Sequence, residues 1–134
     1  MSTMPVETAQ PGPVTTPPAV ILFAHGSRDP LWRLPIEAVA SEILRRDPAA
    51  RATCAYLELC EPNLSRAAAI MVASGASRIR VFPLFLGVGK HAREDLPLLM
   101  DEIRAAHPGV DIELMPTAGE FAALTCLLAD LACA

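Results

Sequence analysis

The chain has 134 residues, 52% of them hydrophobic and only 4% aromatic, with a formal net charge of -4. That length fits one domain around one core rather than two. The acidic balance leaves no basic footprint for DNA, RNA or an anionic membrane, and the scarcity of aromatics argues against a base-stacking surface. No apolar run reaches the length of a membrane span, and the N-terminus lacks a basic stretch followed by an apolar one, so the expectation is a cytoplasmic protein that engages neither nucleic acid nor membrane.

Residues 1–18 are rich in Pro and Thr, with Pro11, Pro13, Pro17 and Pro18 breaking any helix or ladder, so a flexible tail is expected there and a single domain over 19–134. Residues 19–24, Ala-Val-Ile-Leu-Phe-Ala, form a continuous apolar run of the kind found in a strand buried on both faces, and Gly26-Ser27 supplies the following turn. From 31 to 46, Ile36, Val39, Ala40, Ile43 and Leu44 recur at helical spacing until Asp47-Pro48 ends the run. Residues 52–59 predict a second strand, and Leu64, Ala67, Ala68, Met71 and Val72 a second helix closing at Gly75.

Residues 78–86 predict a third strand, although Pro83 is awkward in a central one, and lead into a glycine-rich loop carrying His91. Leu96, Leu99, Met100 and Ile103 mark a third helix with an acidic start at Glu94 and Asp95, where Pro97 is acceptable only in the first turn. A short strand over 111–116 and a last helix through Phe121, Leu124, Leu128 and Leu131 complete the chain. Strand and helix alternating four times predict an α/β fold: a four-stranded parallel sheet with helices on both faces and flavodoxin-like layering.

Two histidines stand where such a sheet places its ligands, beyond the C-terminal ends of strands. His25 follows the first strand and His91 follows the third. Neutral imidazole is a good ligand for first-row divalent metals, and two ligands suit an ion held loosely enough to be passed on. Glu58, near the end of the second strand, is a candidate third member, as oxygen ligand or proton acceptor. The bland alternatives are histidines satisfied by backbone carbonyls and a surface glutamate.

Gly26 and Ser27 before a helix offer backbone N–H groups to an anion, with Arg28 adding charge. His107, before Pro108-Gly109, is explained by a helix C-terminus. The four cysteines have no metal-ligand spacing and read as small buried hydrophobes in a reducing compartment.

Two motifs fail. Gly89-Lys90 looks like the end of a P-loop, but Leu84 stands where a glycine is needed and His91 where Ser or Thr is needed. His25-Gly26 is similar to the Arg-His-Gly motif of histidine phosphatases, with Ala24 in the arginine position. The phosphatase remains a weak rival.

Across residues 20 to about 117 the chain resembles the small CbiX-type chelatases, the sirohydrochlorin cobaltochelatase and ferrochelatase family. The resemblance rests on His25-Gly26-Ser27-Arg28-Asp29-Pro30, on Tyr56-Leu57-Glu58-Leu59 with Glu61-Pro62, and on Pro83-Leu84-Phe85-Leu86 leading to His91 and Glu94-Asp95-Leu96-Pro97. It departs at Lys90, where relatives often carry Gly or Asp, and after Gly119, where a proline-containing segment is missing. The resemblance implies a chelatase-like half and a lyase that inserts cobalt, or ferrous iron, into sirohydrochlorin on the way to cobalamin or sirohaem. It makes His25 and His91 the metal-handling pair, with Glu58 as a possible third catalytic group and Ser27, Arg28, Lys90 and Arg93 contacting the carboxylates of the tetrapyrrole. The metal is a substrate in this scheme and no prosthetic group is implied. Two subunits are expected to build one cleft. A metal or tetrapyrrole carrier using the same histidines is the alternative.

Overall fold

The computed structural model describes residues 17–134. Residues 1–16, most of the expected tail, lie outside the described residues. Four strands, β1 (Ala19–Ala24), β2 (Ala52–Tyr56), β3 (Arg78–Pro83) and β4 (Asp111–Leu114), alternate with four helices, α1 (Leu34–Arg46), α2 (Leu64–Ala73), α3 (Lys90–Ala106) and α4 (Ala122–Cys133). Short 3-10 turns at Pro30–Arg33 and Ala118–Glu120 precede α1 and α4. The sheet is wholly parallel in the order β2-β1-β3-β4. The expected α/β architecture is thus the observed one.

β1 sits centrally and is buried at every residue but the half-buried Val20, as a run of Val, Ile, Leu and Phe with no polar residue must be if both its faces are covered. Ile21 and Phe23 join Ala55, Ile79, Val81 and Ile112 on one face of the sheet, beneath Leu64, Ala67, Ala68 and Met71 of α2 and Leu96, Met100 and Ile103 of α3. Burial of that set is the main stabilising term of the domain. The alternate residues Leu22, Ala24 and Tyr56 are also buried, and the Cys54 thiol lies 3.7 Å from the Ile36 carbonyl oxygen of α1. α1 therefore lies on the face opposite α2 and α3.

Local chemistry sets the element ends. The Asn63 side chain accepts the Arg66 N–H at 2.8 Å and starts α2, and Gly75, with φ 101°, follows its end in a conformation that favours glycine. Several boundaries differ from the sequence expectation: α1 begins at Leu34, after a 3-10 turn, rather than at 31, and β4 ends at Leu114 rather than 116. β2 stops at Tyr56 because Leu57 and Glu58 turn away to bond the Ala24 and His25 carbonyls, at 2.9 and 3.0 Å. Pro83 is tolerated in a central strand because it is the last residue of β3. α3 begins at Lys90, so His91 belongs to a helix rather than a loop, and Pro97 lies inside that helix instead of its first turn.

α4 meets little but the Ala118–Glu120 turn and buries none of its residues. Its entry is anchored by Phe121, whose ring packs edge-on against Phe82 of β3 at 5.7 Å. Among the described residues no helix is long and apolar enough to cross a membrane.

Candidate active site

The strand order reverses direction between β1 and β3: the chain leaving β1 goes on to β2 on one side, and the chain leaving β3 goes on to β4 on the other. The loops diverge there and open a crevice at the C-terminal edge of the sheet, the usual ligand position in open α/β sheets. His25 is the first residue beyond β1, and His91 occupies the first turn of the helix that follows β3. The two strands are directly paired, with Phe23 opposite Pro83. Both histidines are solvent-exposed, so their imidazoles are reachable by an ion or a ligand.

The His25 loop is tightly determined. Gly26 has φ 101°, and a Cβ placed on it would stand 1.8 Å from the Glu58 carbonyl oxygen. Glu58 in turn donates its N–H to the His25 carbonyl at 3.0 Å. The His25 backbone is therefore gripped by the chain beyond β2. Its ring lies on Phe85, with centroids 4.5 Å apart and planes inclined at 42°, and Phe85 packs edge-on against Phe23 at 5.9 Å. Phe85 is 2% exposed and forms the rigid floor beneath the imidazole.

Phe85 is the residue that sequence reasoning passed over. It entered there only as an aromatic of the predicted third strand and of the Pro83-Leu84-Phe85-Leu86 motif, without a role, and strand periodicity does not say which residue of the neighbouring loop it will meet.

Glu58 shares its backbone with the site and is exposed, but it does not complete a metal cluster: among the described residues no three His, Cys, Asp or Glu side chains stand together as ligands. Ser27 and Arg28 follow His25. The Ser27 hydroxyl oxygen accepts the Asp29 N–H at 3.0 Å, and an Asp29 carboxylate oxygen accepts the Leu31 N–H at 2.9 Å. The expected anion site at this helix start is thus partly filled by the chain's own Asp29, because a carboxylate two residues ahead of an N–H caps it more readily than an external anion does. Arg28 is exposed beside it.

Lys90 opens α3, whose N-cap Gly89 provides no side-chain cap, so the first turn keeps its positive dipole end free of a capping side chain. Arg93 donates from Nη1 to the Val88 carbonyl at 2.8 Å, which ties its guanidinium to the segment ahead of His91. Two cavities flank the histidines. One of about 300 Å³ lies between Phe23, Phe85, Leu57 and α3, with the Asp95 and Glu102 carboxylates in its wall. The other, about 610 Å³, opens between Leu86, Val88 and Arg93 on one side and Leu114, Thr117 and Glu120 on the other. Neither histidine is in these walls; His25 borders the first through the Phe85 ring.

The chain is thus a parallel α/β domain with two exposed histidines beyond the C-terminal ends of paired strands, hollows nearby, Arg28 on the loop after β1 and Lys90 and Arg93 in the first turn of α3. The chain belongs to the CbiX family, whose sequence profile matches residues 19–133. It is similar to a protein named sirohydrochlorin cobaltochelatase from Methanopyrus kandleri, 34% identical over 82 residues, which are 61% of this chain and 57% of that protein. It is similar to the crystal structure of a putative cobalamin biosynthesis CbiX protein from Marinobacter aquaeolei VT8, 34% identical with a TM-score of 0.75, over 87% of this chain and 94% of that one. It also resembles the sirohydrochlorin chelatase SirB from Bacillus subtilis subspecies spizizenii, solved in complex with cobalt: 26% identical, TM-score 0.61, 76% of this chain but 44% of that one.

Proposed function

We propose that this protein is a sirohydrochlorin chelatase, a lyase that exchanges the two pyrrolic protons of the macrocycle for one divalent metal ion, cobalt first and ferrous iron second, in cobalamin or sirohaem biosynthesis. The observation that carries the reading is that His25, directly after β1, and His91, in the first turn of the helix that follows the adjacent strand β3, both lie beyond the C-terminal ends of paired parallel strands and are open to solvent. The family and the names of the relatives support the same substrate.

Insertion needs an ion whose ligands exchange and bases that take up protons. In the proposal His25 and His91 present imidazole nitrogens to the incoming ion and release it to the ring nitrogens. The two protons that leave the pyrroles pass to these imidazoles, with Glu58 as a further acceptor, and then to water. Ser27, Arg28, Lys90 and Arg93 bind the peripheral carboxylates of the tetrapyrrole. Its apolar face lies over the hollow floored by Phe23 and Phe85, where burial of ring surface contributes to binding. Among the described residues no third and fourth ligand close the site, which suits this role because a closed site would keep the ion.

The proposal includes a homodimer and a cytoplasmic setting. Four free cysteines, two of them exposed, support a reducing compartment.

The test is a sirohydrochlorin absorbance assay with cobalt, ferrous and nickel ions supplied in parallel. Wild-type protein should exceed the spontaneous rate, and His25→Ala and His91→Ala should each fall to that rate while keeping the wild-type circular dichroism spectrum. Full activity in either variant sinks the assignment. A wild-type rate no faster than the spontaneous one, with metal or tetrapyrrole still bound, selects the carrier.

A further inference from the structure

The segment that leads to His91 is held from an unexpected quarter, the turn ahead of α4. Gly119 donates its N–H to the Phe85 carbonyl at 2.9 Å. A Cβ on Gly119 would stand 1.8 Å from the Leu86 carbonyl oxygen, 2.6 Å from its carbon and 2.9 Å from its Cα. All three atoms are backbone and cannot rotate aside, so only glycine permits this approach.

Gly119 is itself fixed. It is the middle residue of the Ala118–Glu120 turn, and a single Glu120 carboxylate oxygen accepts both the Thr117 N–H, at 2.9 Å, and the Thr117 hydroxyl, at 3.0 Å. The Glu120 N–H returns to the Thr117 carbonyl at 2.9 Å, and Thr117 is buried. A charge-assisted pair of bonds at a buried residue is a firm anchor.

At the other end of the chain of contacts stands His25. The Phe85 carbonyl is held by Gly119, and the Phe85 ring carries the His25 imidazole at 4.5 Å. A side chain so fully buried has no free volume in which to move independently of its backbone.

We infer that Gly119 is a positioning residue for the metal-handling histidines: through the Phe85 carbonyl and the Leu86 backbone it fixes residues 84–89, and with them the Phe85 ring under His25 and the start of the helix bearing His91. It acts through Phe85 and touches neither ion nor tetrapyrrole. Its effect on rate rests on the chelatase reading; its effect on His25 geometry does not.

The deciding measurement is nuclear magnetic resonance of the His25 ring in full-length protein carrying labelled histidine, since the Phe85 ring current displaces those signals. Phe85→Leu, which keeps an apolar side chain, identifies the displacement. Gly119→Ala should move the His25 signals toward their Phe85→Leu position. It should also lower kcat for cobalt insertion by roughly 10- to 100-fold, with KM changed far less, as expected when reacting groups are misplaced by about an ångström. Should Gly119→Ala fail to fold, Glu120→Gln loosens the same turn without adding bulk and should shift both readouts in the same direction by less. Ile103→Val, on α3 twelve residues from His91 and in the same core, lowers the melting temperature without altering the Gly119 and Glu120 hydrogen bonds and should leave the His25 signals in place. His25 signals unmoved in a folded Gly119→Ala or Glu120→Gln variant overturn the inference. So does an equal movement in Ile103→Val, which would make the effect one of general destabilisation. If wild-type protein inserts no metal, the chelatase reading fails, and the His25 signals still decide the positioning role.

Discussion

Gly26 shows how one residue can fix its neighbour, the candidate site residue His25. Its φ of 101° is disfavoured for any residue with a Cβ, and the added carbon would overlap the Glu58 carbonyl oxygen that crowds it at 1.8 Å. Gly26→Ala should therefore destabilise the fold by about 2 kcal/mol or more, the strain and the clash adding, and urea denaturation followed by circular dichroism measures it. A variant as stable as wild type would mean that the loop relaxes freely and does not grip His25. Tyr56, two residues before Glu58, allows a second test because it is the sole tyrosine of the chain. Burial, helped by the neighbouring Cys54 thiol and the Glu37 carboxylate, pushes its phenol from 10.0 up to about 12. The folded value lies above the unfolded one, so the stabilisation associated with the neutral phenol is complete below pH 10 and is lost as pH rises through about 12. An ultraviolet titration should give a midpoint near 12 in native protein and near 10 in denaturant. A native midpoint near 10 would contradict the packing of Tyr56 under α1 and Trp32, whose ring stands 6.2 Å away.

The helices were less legible than the strands, and α3 shows why. The pattern Leu96, Leu99, Met100, Ile103 locates its buried stripe correctly, since Leu96, Met100 and Ile103 are the buried residues. It cannot locate the start, because the first six residues, Lys90 to Asp95, include only one apolar residue, Ala92, and offer no periodicity to read. Pro97 then seemed to require a later start, whereas the helix admits it on an exposed face and gives up the bond to the Arg93 carbonyl. The cost follows directly: Pro97→Ala restores that bond and should raise stability by about 1–3 kcal/mol, read as a higher urea midpoint at unchanged slope. An unchanged or lower midpoint would show that the proline holds the helix start in place. The strands were clearer because a parallel sheet covered by helices demands unbroken apolar runs, and the first of them, Ala19–Ala24, has the expected bounds. β2 was read too long because Leu57 and Leu59 are apolar, and apolarity alone does not reveal that the backbone bends toward His25. Of the candidate site, the two histidines could be found from the sequence, since strand ends point to them. The Phe85 floor and the Gly119 clamp could not, because both are contacts between loops with no spacing in sequence.

The whole molecule is covered unequally on its two faces. α2 and α3 close one side of the sheet with a continuous core, while on the other side α1 buries none of its residues and α4, which could lie beside it, packs on neither α1 nor the strands to any extent. Leu34, Val39, Leu127 and Leu128 are 40–54% exposed and Leu131 is 65% exposed, and Asp130 is the sole charge on α4. A parallel sheet is stable when both faces are covered, and these exposed leucines and valine are where the proposed second copy would cover this face. The SirB chain solved with cobalt is more than twice as long as the part of it that this chain matches. In the proposed homodimer each copy would offer its α4 and the outer side of α1 to the other, an isologous contact in which the same patch serves both subunits. Light scattering should therefore give twice the 14.3 kDa of one chain at micromolar concentration. Leu127→Glu combined with Leu131→Glu places two carboxylates in the interface, where their desolvation opposes association, and should give the mass of one chain. If the two copies share one cleft, cobalt insertion by this variant should drop with the mass, and raising its concentration should restore both together. A wild-type protein with the mass of one chain at every concentration would refute the dimer, and a monomeric variant with undiminished kcat would show that each copy holds a complete site of its own.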